Sequence, residues 1–248
     1  MNAAEAMKHP QLDRMVANLK GALGGGLVGV VLYGSAARGD YQEKTSDFNL
    51  LLVLRDLDPA TLEALAPALR RWARRGHPAP RLFTPALIAE SADVFPIEML
   101  DLKNCRVVLH GEDTLAGVEV GRDNLRLQCE REMRAKLMRL REGYIESHDR
   151  PRELRRLLTS SYTTFIALFR GCLFLLGGEV PLHNAGVVSA FCARAGLEAS
   201  AFEGVDRLKR GESADGDMKT VFSSYYQELT RAVGKVDRFD SRQGGQSS

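Results

Sequence analysis

The sequence predicts an α/β domain followed by an all-α helical domain. Two short apolar runs, 27–33 and 48–54, lack polar alternation, which favours central strands covered on both faces. From Asp123 onward, apolar residues recur with the 3.6-residue period of helices. These observations place an α/β domain at residues 1–118 and a helical bundle at 119–240.

The composition is typical of a folded globular protein. The 248 residues are 44% hydrophobic and 27% charged, and the formal net charge is +2. This charge is too small to imply a polyanionic partner, so composition gives no support to nucleic acid binding. Residues 241–248 are mostly glycine, glutamine and serine, and we expect them to be disordered.

The cysteines and the apolar segments favour a cytoplasmic protein. The four cysteines lie far apart without a C-x-x-C pair, which is typical of reduced, buried thiols. The N-terminal residues are amphipathic and charged, unlike a secretory signal. The longest apolar stretches, such as 164–176, are too short to span a bilayer, and Arg170 interrupts this one. We therefore expect no membrane segment.

Turn and cap residues divide the α/β domain into elements. Asp58-Pro59 and Thr84-Pro85 each begin a helix, because an N-cap residue precedes a proline at the first helical position. The glycines after the first predicted helix form a linker rather than a phosphate cradle, since they lack the ending of a P-loop. The remaining predictions are a helix at 3–20, a strand at 81–84, and extended or mixed structure at 97–102 and 106–109.

Arginines crowd the last turns of the helix that begins at Asp58, which we expect to end near Gly76. Cations at that position complement the helix dipole and lie in water, which is the ordinary explanation for them. A phosphate or polyanion patch is the alternative explanation. The arginines are Arg70, Arg71, Arg74 and Arg75.

Helices are predicted for the rest of the chain. One begins at Asp123 and another at Pro151, and the latter is apolar nearly all round, as expected at the centre of a bundle. Its apolar surface is buried either within the monomer or in part at a homodimer interface, and the sequence leaves both open. Shorter helices are predicted at 184–195, 199–210 and 216–238.

The stretch between the two apolar strands carries the chemistry. Gly34-Ser35 follows the first strand, Gly39 ends the turn, and Asp47 enters the second strand. A glycine-serine turn at a strand end can aim backbone amides and a hydroxyl at a phosphate group. A carboxylate at Asp47 could hold a magnesium ion against that phosphate, because magnesium prefers oxygen ligands.

These residues resemble the DNA polymerase beta-type nucleotidyltransferase superfamily. The match runs through Gly34-Ser35-x-x-x-Gly39 and Ser46-Asp47-x-Asn49-Leu50, within residues 25–118, and is most similar to the small bacterial and aminoglycoside adenylyltransferases. The resemblance implies a mixed sheet followed by a helical domain. It also implies that Gly34, Ser35 and Gly39 bind a triphosphate, and that Asp47 is the first metal ligand and a catalytic residue.

The metal site departs from the family pattern. Asn49 stands where the second aspartate is expected, so it is at most a weak catalytic or metal ligand without charge. Arg81 aligns with the third carboxylate and, being always protonated, could bind nucleotide phosphates or simply face solvent. Glu98 or Asp101 could supply the missing acid and ligate metal instead. Two magnesium ions about 3.8 Å apart repel by roughly 17 kcal/mol at a dielectric of about 20, so we expect one ion rather than two.

Two hypotheses of function follow from the resemblance. In one, the chain transfers a nucleotidyl group to a hydroxyl of a small-molecule or protein acceptor. The first candidate for this group is AMP from ATP. In the other, it is a degenerate pseudoenzyme that binds a nucleotide or a partner without catalysis. Antibiotic modification is a third hypothesis and depends on family analogy alone.

Overall fold

A computed structural model describes residues 5, 8–39, 47–147, 150–213 and 217–236. The chain divides into two compact units, Met1–Val120 and Gly121–Ser248. The sequence placed this division at residues 118 and 119. The predicted disorder of 241–248 lies outside the described residues.

The first unit is built on a four-stranded mixed sheet of order β3-β2-β1-β4. Strand β1 (Leu27–Tyr33) pairs antiparallel with β2 (Asn49–Leu54) and with β4 (Arg106–Gly111), whereas β3 (Arg81–Phe83) pairs parallel with β2. The two central strands are the two apolar runs predicted from the sequence, and both are almost entirely buried. The prediction of central strands in a mixed sheet is therefore confirmed.

Helices cover both faces of this sheet. On one face, α1 (Pro10–Leu23) and α3 (Pro59–Ala73) bury Leu19 and Trp72 against side chains of β1 and β2. On the other face, α4 (Pro85–Val94) and α5 (Pro96–Asn104) supply Ile88 and Met99. A single turn of helix, α2 (Ser35–Arg38), follows β1. The side chains of Asp58 and Thr84 accept hydrogen bonds from the backbone of α3 and α4, as the N-cap prediction required.

Two predictions for this unit were wrong. The helix predicted at 3–20 does not run through His9, which has extended backbone, because a residue before proline disfavours helical geometry; α1 begins at Pro10. Residues 1–4 and 6–7 lie outside the described residues. Residues 97–102 and 106–109 were predicted together as extended or mixed structure; 97–102 form part of α5, so the extended alternative is wrong for them, whereas 106–109 lie in β4. This helix buries residues on nearly every side, so its sequence carries no helical period.

The second unit is a bundle of helices around one buried helix. Helix α7 (Pro151–Leu175) packs against α6 (Arg122–Ser147), α8 (Asn184–Ala195), α9 (Ala199–Lys209) and α10 (Met218–Val236). Its central position confirms the prediction made from its apolar composition. Phe169 stacks on Phe191 with ring centroids 4.1 Å apart and meets Phe202 edge-on, which anchors three helices together.

Helix α7 is also long and apolar enough to cross a membrane by length and composition alone. Just over half of its most apolar window, 56%, is buried inside the protein, and the core helix of a globular bundle passes the same test. The cysteines at 105, 129, 172 and 192 are all buried free thiols, as predicted. Burial raises the pKa of Cys192 to about 12, so this thiol is unreactive near neutral pH.

Candidate functional site

The turn after β1 is tight and is built on two glycines with positive φ. Gly34 has φ of 78°, which side-chain-bearing residues rarely adopt, and α2 starts immediately after it. Gly39 ends the turn in the left-handed region at φ of 88°, and its N–H donates to the carbonyl of Ser35. The two glycines of the motif therefore stand where the chain reverses.

The start of β2 packs directly against this turn. Tyr33 and Asn49 are register partners, so Asn49 lies beside the residue that precedes Gly34. A Cβ atom placed on Gly34 would lie 3.2 Å from Asn49 Nδ2. The structure thus brings together Gly34 of the glycine-serine turn and Asn49, which are fifteen residues apart in the sequence.

Arg81 lies on the same face of the sheet as Asn49. Asn49 and Leu51 share a face because strand side chains alternate, and Leu51 is the register partner of Arg81. The Arg81 Cζ atom lies 5.5 Å from the centre of the Tyr33 ring, within cation-π distance. Arg81 is exposed, and its guanidinium group lies beside the Tyr33 ring at the end of β1.

Asp101, which the sequence offered as a substitute acid, lies near the turn through an ion pair. Its Oδ1 accepts a hydrogen bond from Arg38 Nη1 at 3.3 Å, and the Arg38 and Asp101 side chains are 18% and 39% exposed. The Arg38 Nε atom is buried and lacks a hydrogen-bond partner among the described residues. Glu98, the other candidate acid, lies in the first turn of the same helix.

Tyr33 lies between these charged groups. Burial raises the pKa of its hydroxyl; the Arg81 charge opposes this rise, and the Asp101 charge adds to it. Both Arg81 and Asp101 are therefore close enough to act on Tyr33 electrostatically. Sequence reasoning missed Arg38 as a site residue, although its place one residue before Gly39 in the turn was a usable signal.

Asp47 is exposed and stands above a cluster of imidazole and aromatic rings on the opposite face. His77 Nδ1 accepts from the Phe48 N–H at 3.4 Å, and His77 Nε2 lies 2.8 Å from Gln11 Oε1. The His77 and Phe48 ring centres are 5.2 Å apart, and the Trp72 ring lies 4.2 Å from His77. These contacts hold the backbone between Asp47 and Asn49, and no sequence pattern pointed to His77.

Charges of both signs reach His77. Burial lowers its pKa; the nearby Asp47 carboxylate raises it, and Arg75 and His9 lower it. The first of these causes is the largest, so the imidazole is held in its neutral form. Asp47, His77 and Arg75 consequently share one end of the sheet.

The available oxygen ligands suit one magnesium ion at most. Within the described parts of the chain, no group of three His, Cys, Asp or Glu side chains could hold a metal ion. Asp47 and Asn49 offer one carboxylate and one amide oxygen at the head of β2, which suits a single magnesium ion whose other ligands come from phosphate and water.

No sequence-family model matches this chain, and no curated protein matches it by sequence. The fold does have a solved counterpart, the crystal structure of spectinomycin adenyltransferase AAD(9) from Enterococcus faecialis with ATP and spectinomycin. The two share 11% sequence identity with a TM-score of 0.54, over 92% of this chain and 99% of that chain. The chain therefore has a nucleotidyltransferase-like α/β fold followed by a helical region.

Proposed function

We propose that this protein binds a nucleoside triphosphate, with ATP as the first candidate, and transfers its nucleotidyl group to an acceptor hydroxyl. One observation carries the proposal: the Gly34–Gly39 turn and the head of β2 lie in contact, although the sequence separates them. The structural counterpart, which was solved with ATP and spectinomycin, supports a nucleotide and a small-molecule acceptor. We also propose a cytoplasmic location, as expected from the separated cysteines of the sequence.

The residues around the turn divide the work of holding phosphate. The backbone amides and the Ser35 hydroxyl meet the phosphate oxygens directly, as turns of this geometry do. The Arg38 guanidinium, buried beside the turn, supplies positive charge when a phosphate replaces Asp101 as its partner. Arg81 adds a second positive charge from the edge strand.

Asp47 is the proposed metal ligand, with Asn49 as a neutral auxiliary. A bound magnesium ion would neutralise phosphate charge and polarise the phosphoryl group. Asn49 adds no negative charge that would help to hold a second metal ion. Arg38 and Arg81 therefore neutralise part of the phosphate charge that a second ion would otherwise neutralise. This arrangement predicts nucleotide binding that depends only partly on magnesium.

The transfer step forms one bond to phosphorus and breaks another. The acceptor oxygen bonds to the α-phosphorus, the bond from that phosphorus to the bridging oxygen breaks, and pyrophosphate leaves with the bonding electrons. The acceptor proton passes to a carboxylate, and we propose that Asp101 is this general base. Asp101 is close enough to the turn for its charge to act on Tyr33. Release of Asp101 from Arg38 would accompany phosphate binding.

The second candidate function is nucleotide binding without transfer. It is favoured by the ion pair between Arg38 and Asp101, which occupies the available carboxylate, and by the arginine at position 81. In this case the turn still binds a nucleotide, and the protein acts as a nucleotide-responsive or partner-binding module. Both candidates share the same binding site and differ in whether pyrophosphate is formed.

Calorimetry with and without magnesium, combined with a pyrophosphate-release assay over a panel of acceptors, tests the proposal. We expect micromolar binding of ATP that strengthens when magnesium is added, together with turnover on at least one acceptor. Binding without turnover on the whole panel would favour the module. Failure of ATP and the other nucleoside triphosphates to bind, with or without magnesium, would reject both candidates.

A further inference from the structure

Four arginines at the end of α3 form an exposed group of cations. We refer to Arg70, Arg71, Arg74 and Arg75 as the α3 arginine cluster; all four are exposed. Their side chains form no hydrogen bond or ion pair with any residue that the structure describes. Asp13 in α1 and Glu63 in α3, carboxylates on the two packed helices, do not pair with them either.

This cluster exceeds what the helix needs for stability. One or two cations in the last turn complement the helix dipole. Here four lie within six residues, and like charges three or four positions apart on a helix repel each other. Elsewhere in the chain, surface arginines such as Arg126 and Arg134 are paired with a nearby carboxylate, Glu130.

The cluster lies at the end of the sheet that carries Asp47, on the face opposite Asn49 and Arg81. Trp72 lies among the four arginines in sequence and is buried, and its ring packs 4.2 Å from that of His77. His77 in turn contacts Phe48, the residue between Asp47 and Asn49. The end of α3 is therefore fixed against the head of β2, and the Arg75 charge acts on the same imidazole as that of Asp47.

We propose that the α3 arginine cluster recognises an acceptor that carries several phosphate groups, as a nucleic-acid strand does. Guanidinium groups bind phosphate through paired hydrogen bonds, and four guanidinium groups at one helix end can contact more than one phosphate of a strand. A cationic acceptor would be repelled by the same surface. This inference rests on the proposed function, whose transfer step it leaves unchanged, and it names a phosphate-bearing strand as the acceptor in place of a small molecule.

Fluorescence anisotropy with a labelled RNA of about 12 nucleotides tests the proposal on the full chain. The variant Arg71→Gln/Arg74→Gln removes two cluster charges, and Arg152→Gln/Arg156→Gln removes two exposed arginines of the helical unit as a matched control. We expect the first variant to bind RNA about tenfold more weakly. The slope of log K against log salt concentration should become shallower by about 1.4, because each of the two lost phosphate contacts accounts for roughly 0.7. The control should bind like the unchanged protein.

Tripolyphosphate as competitor distinguishes a strand from a small phosphorylated molecule. If tripolyphosphate displaces RNA only when its phosphate concentration is far above that of the RNA, the result supports a strand as the acceptor. Displacement at equal phosphate concentrations supports a small polyphosphate acceptor. Undetectable RNA binding, or equal losses in both variants, would overturn the proposal. ATP calorimetry on the same samples tests the nucleotide site separately from the acceptor class. ATP binding without RNA binding rejects the acceptor class but not the nucleotide site.

Discussion

The two halves of the candidate site differ in how far they match the resemblance described above. The proposed phosphate half, from Gly34 to Gly39, has two glycines with positive φ and a short helix. The carboxylate half, along the heads of β2 and β3, has an amide at Asn49 and a guanidinium at Arg81 where acids are expected. The expected backbone geometry is therefore present, whereas two of the expected side-chain charges are not.

This difference teaches which part of the site the fold itself enforces. The turn is part of the connection between central strands, so altering it would disturb the sheet. Asn49 and Arg81 stand at strand heads, where a change of side chain leaves the strand pairing intact. Substitutions at Asn49 and Arg81 should therefore change the charge of the site without changing the turn.

The largest effect should come from Gly34→Ala, which breaks the phosphate half. The added methyl group would approach Asn49 Nδ2 at 3.2 Å, in a backbone conformation that costs about 1–3 kcal/mol for other residues. We expect ATP affinity to fall at least tenfold and Tm to drop. Gly25→Ala, where an added Cβ meets nothing within 4 Å, is the control. Unchanged ATP affinity in the Gly34 variant would remove the turn from the site.

Variants of Arg38 and Asp101 test whether a bound phosphate replaces Asp101 as the partner of Arg38. Arg38→Ala should weaken ATP binding about tenfold, because it deletes a charge-assisted contact to phosphate. Asp101→Asn should instead strengthen ATP binding, because it frees Arg38, and it should abolish turnover if Asp101 is the base. Calorimetry and pyrophosphate release give the two readouts. Weaker binding in both variants would show that the pair is structural.

Asn49→Asp sharpens the comparison by restoring charge to the carboxylate half. A second carboxylate beside Asp47 should increase the magnesium dependence of ATP binding by several-fold, since the ion gains an anionic ligand. The ratio of dissociation constants with and without magnesium measures this effect. Asn124→Asp adds the same charge in the helical unit and should leave the ratio unchanged. Equal ratios in all three proteins would argue against a metal at Asn49.

The smallest effect concerns the imidazole that supports Asp47. Burial lowers the pKa of His77 below its ordinary value of 6.5, so the unfolded chain binds a proton at higher pH than the folded chain. Stability should therefore decrease as pH falls below about 6.5, and continue to decrease until the folded pKa is passed. His77→Gln should flatten this part of a Tm-against-pH curve by about 1–3 °C after screening by water. A curve of unchanged slope would assign the effect to other groups.

Much of the fold could be predicted because its signals are local. The strand 27–33 matches β1 at both ends, and the N-caps at Asp58 and Thr84 were read from two-residue motifs. Helix α5 was missed because it is buried on most sides and so has no amphipathic period. The glycine-serine turn could be predicted because, like the N-caps, its signature is a short run of adjacent residues.

The charge arrangement of the site could not be predicted in the same way. Arg38 and Asp101 are sixty-three residues apart, and only the packing of α5 brings them into contact. The hydrogen bond from the Phe48 N–H to His77 likewise depends on how the chain returns after α3. Spacing within one sequence carries no information about such long-range pairs.

The position of Trp72 gives the protein a built-in optical reporter. It is the only tryptophan in the chain, its indole N–H donates to the Pro78 carbonyl at 3.0 Å, and its ring lies against His77. Emission from this one fluorophore therefore originates a few ångströms from the segment that carries Asp47. Titration of unlabelled nucleotide, metal or RNA can be followed at a single wavelength, and each ligand should leave its own signature on intensity and emission maximum.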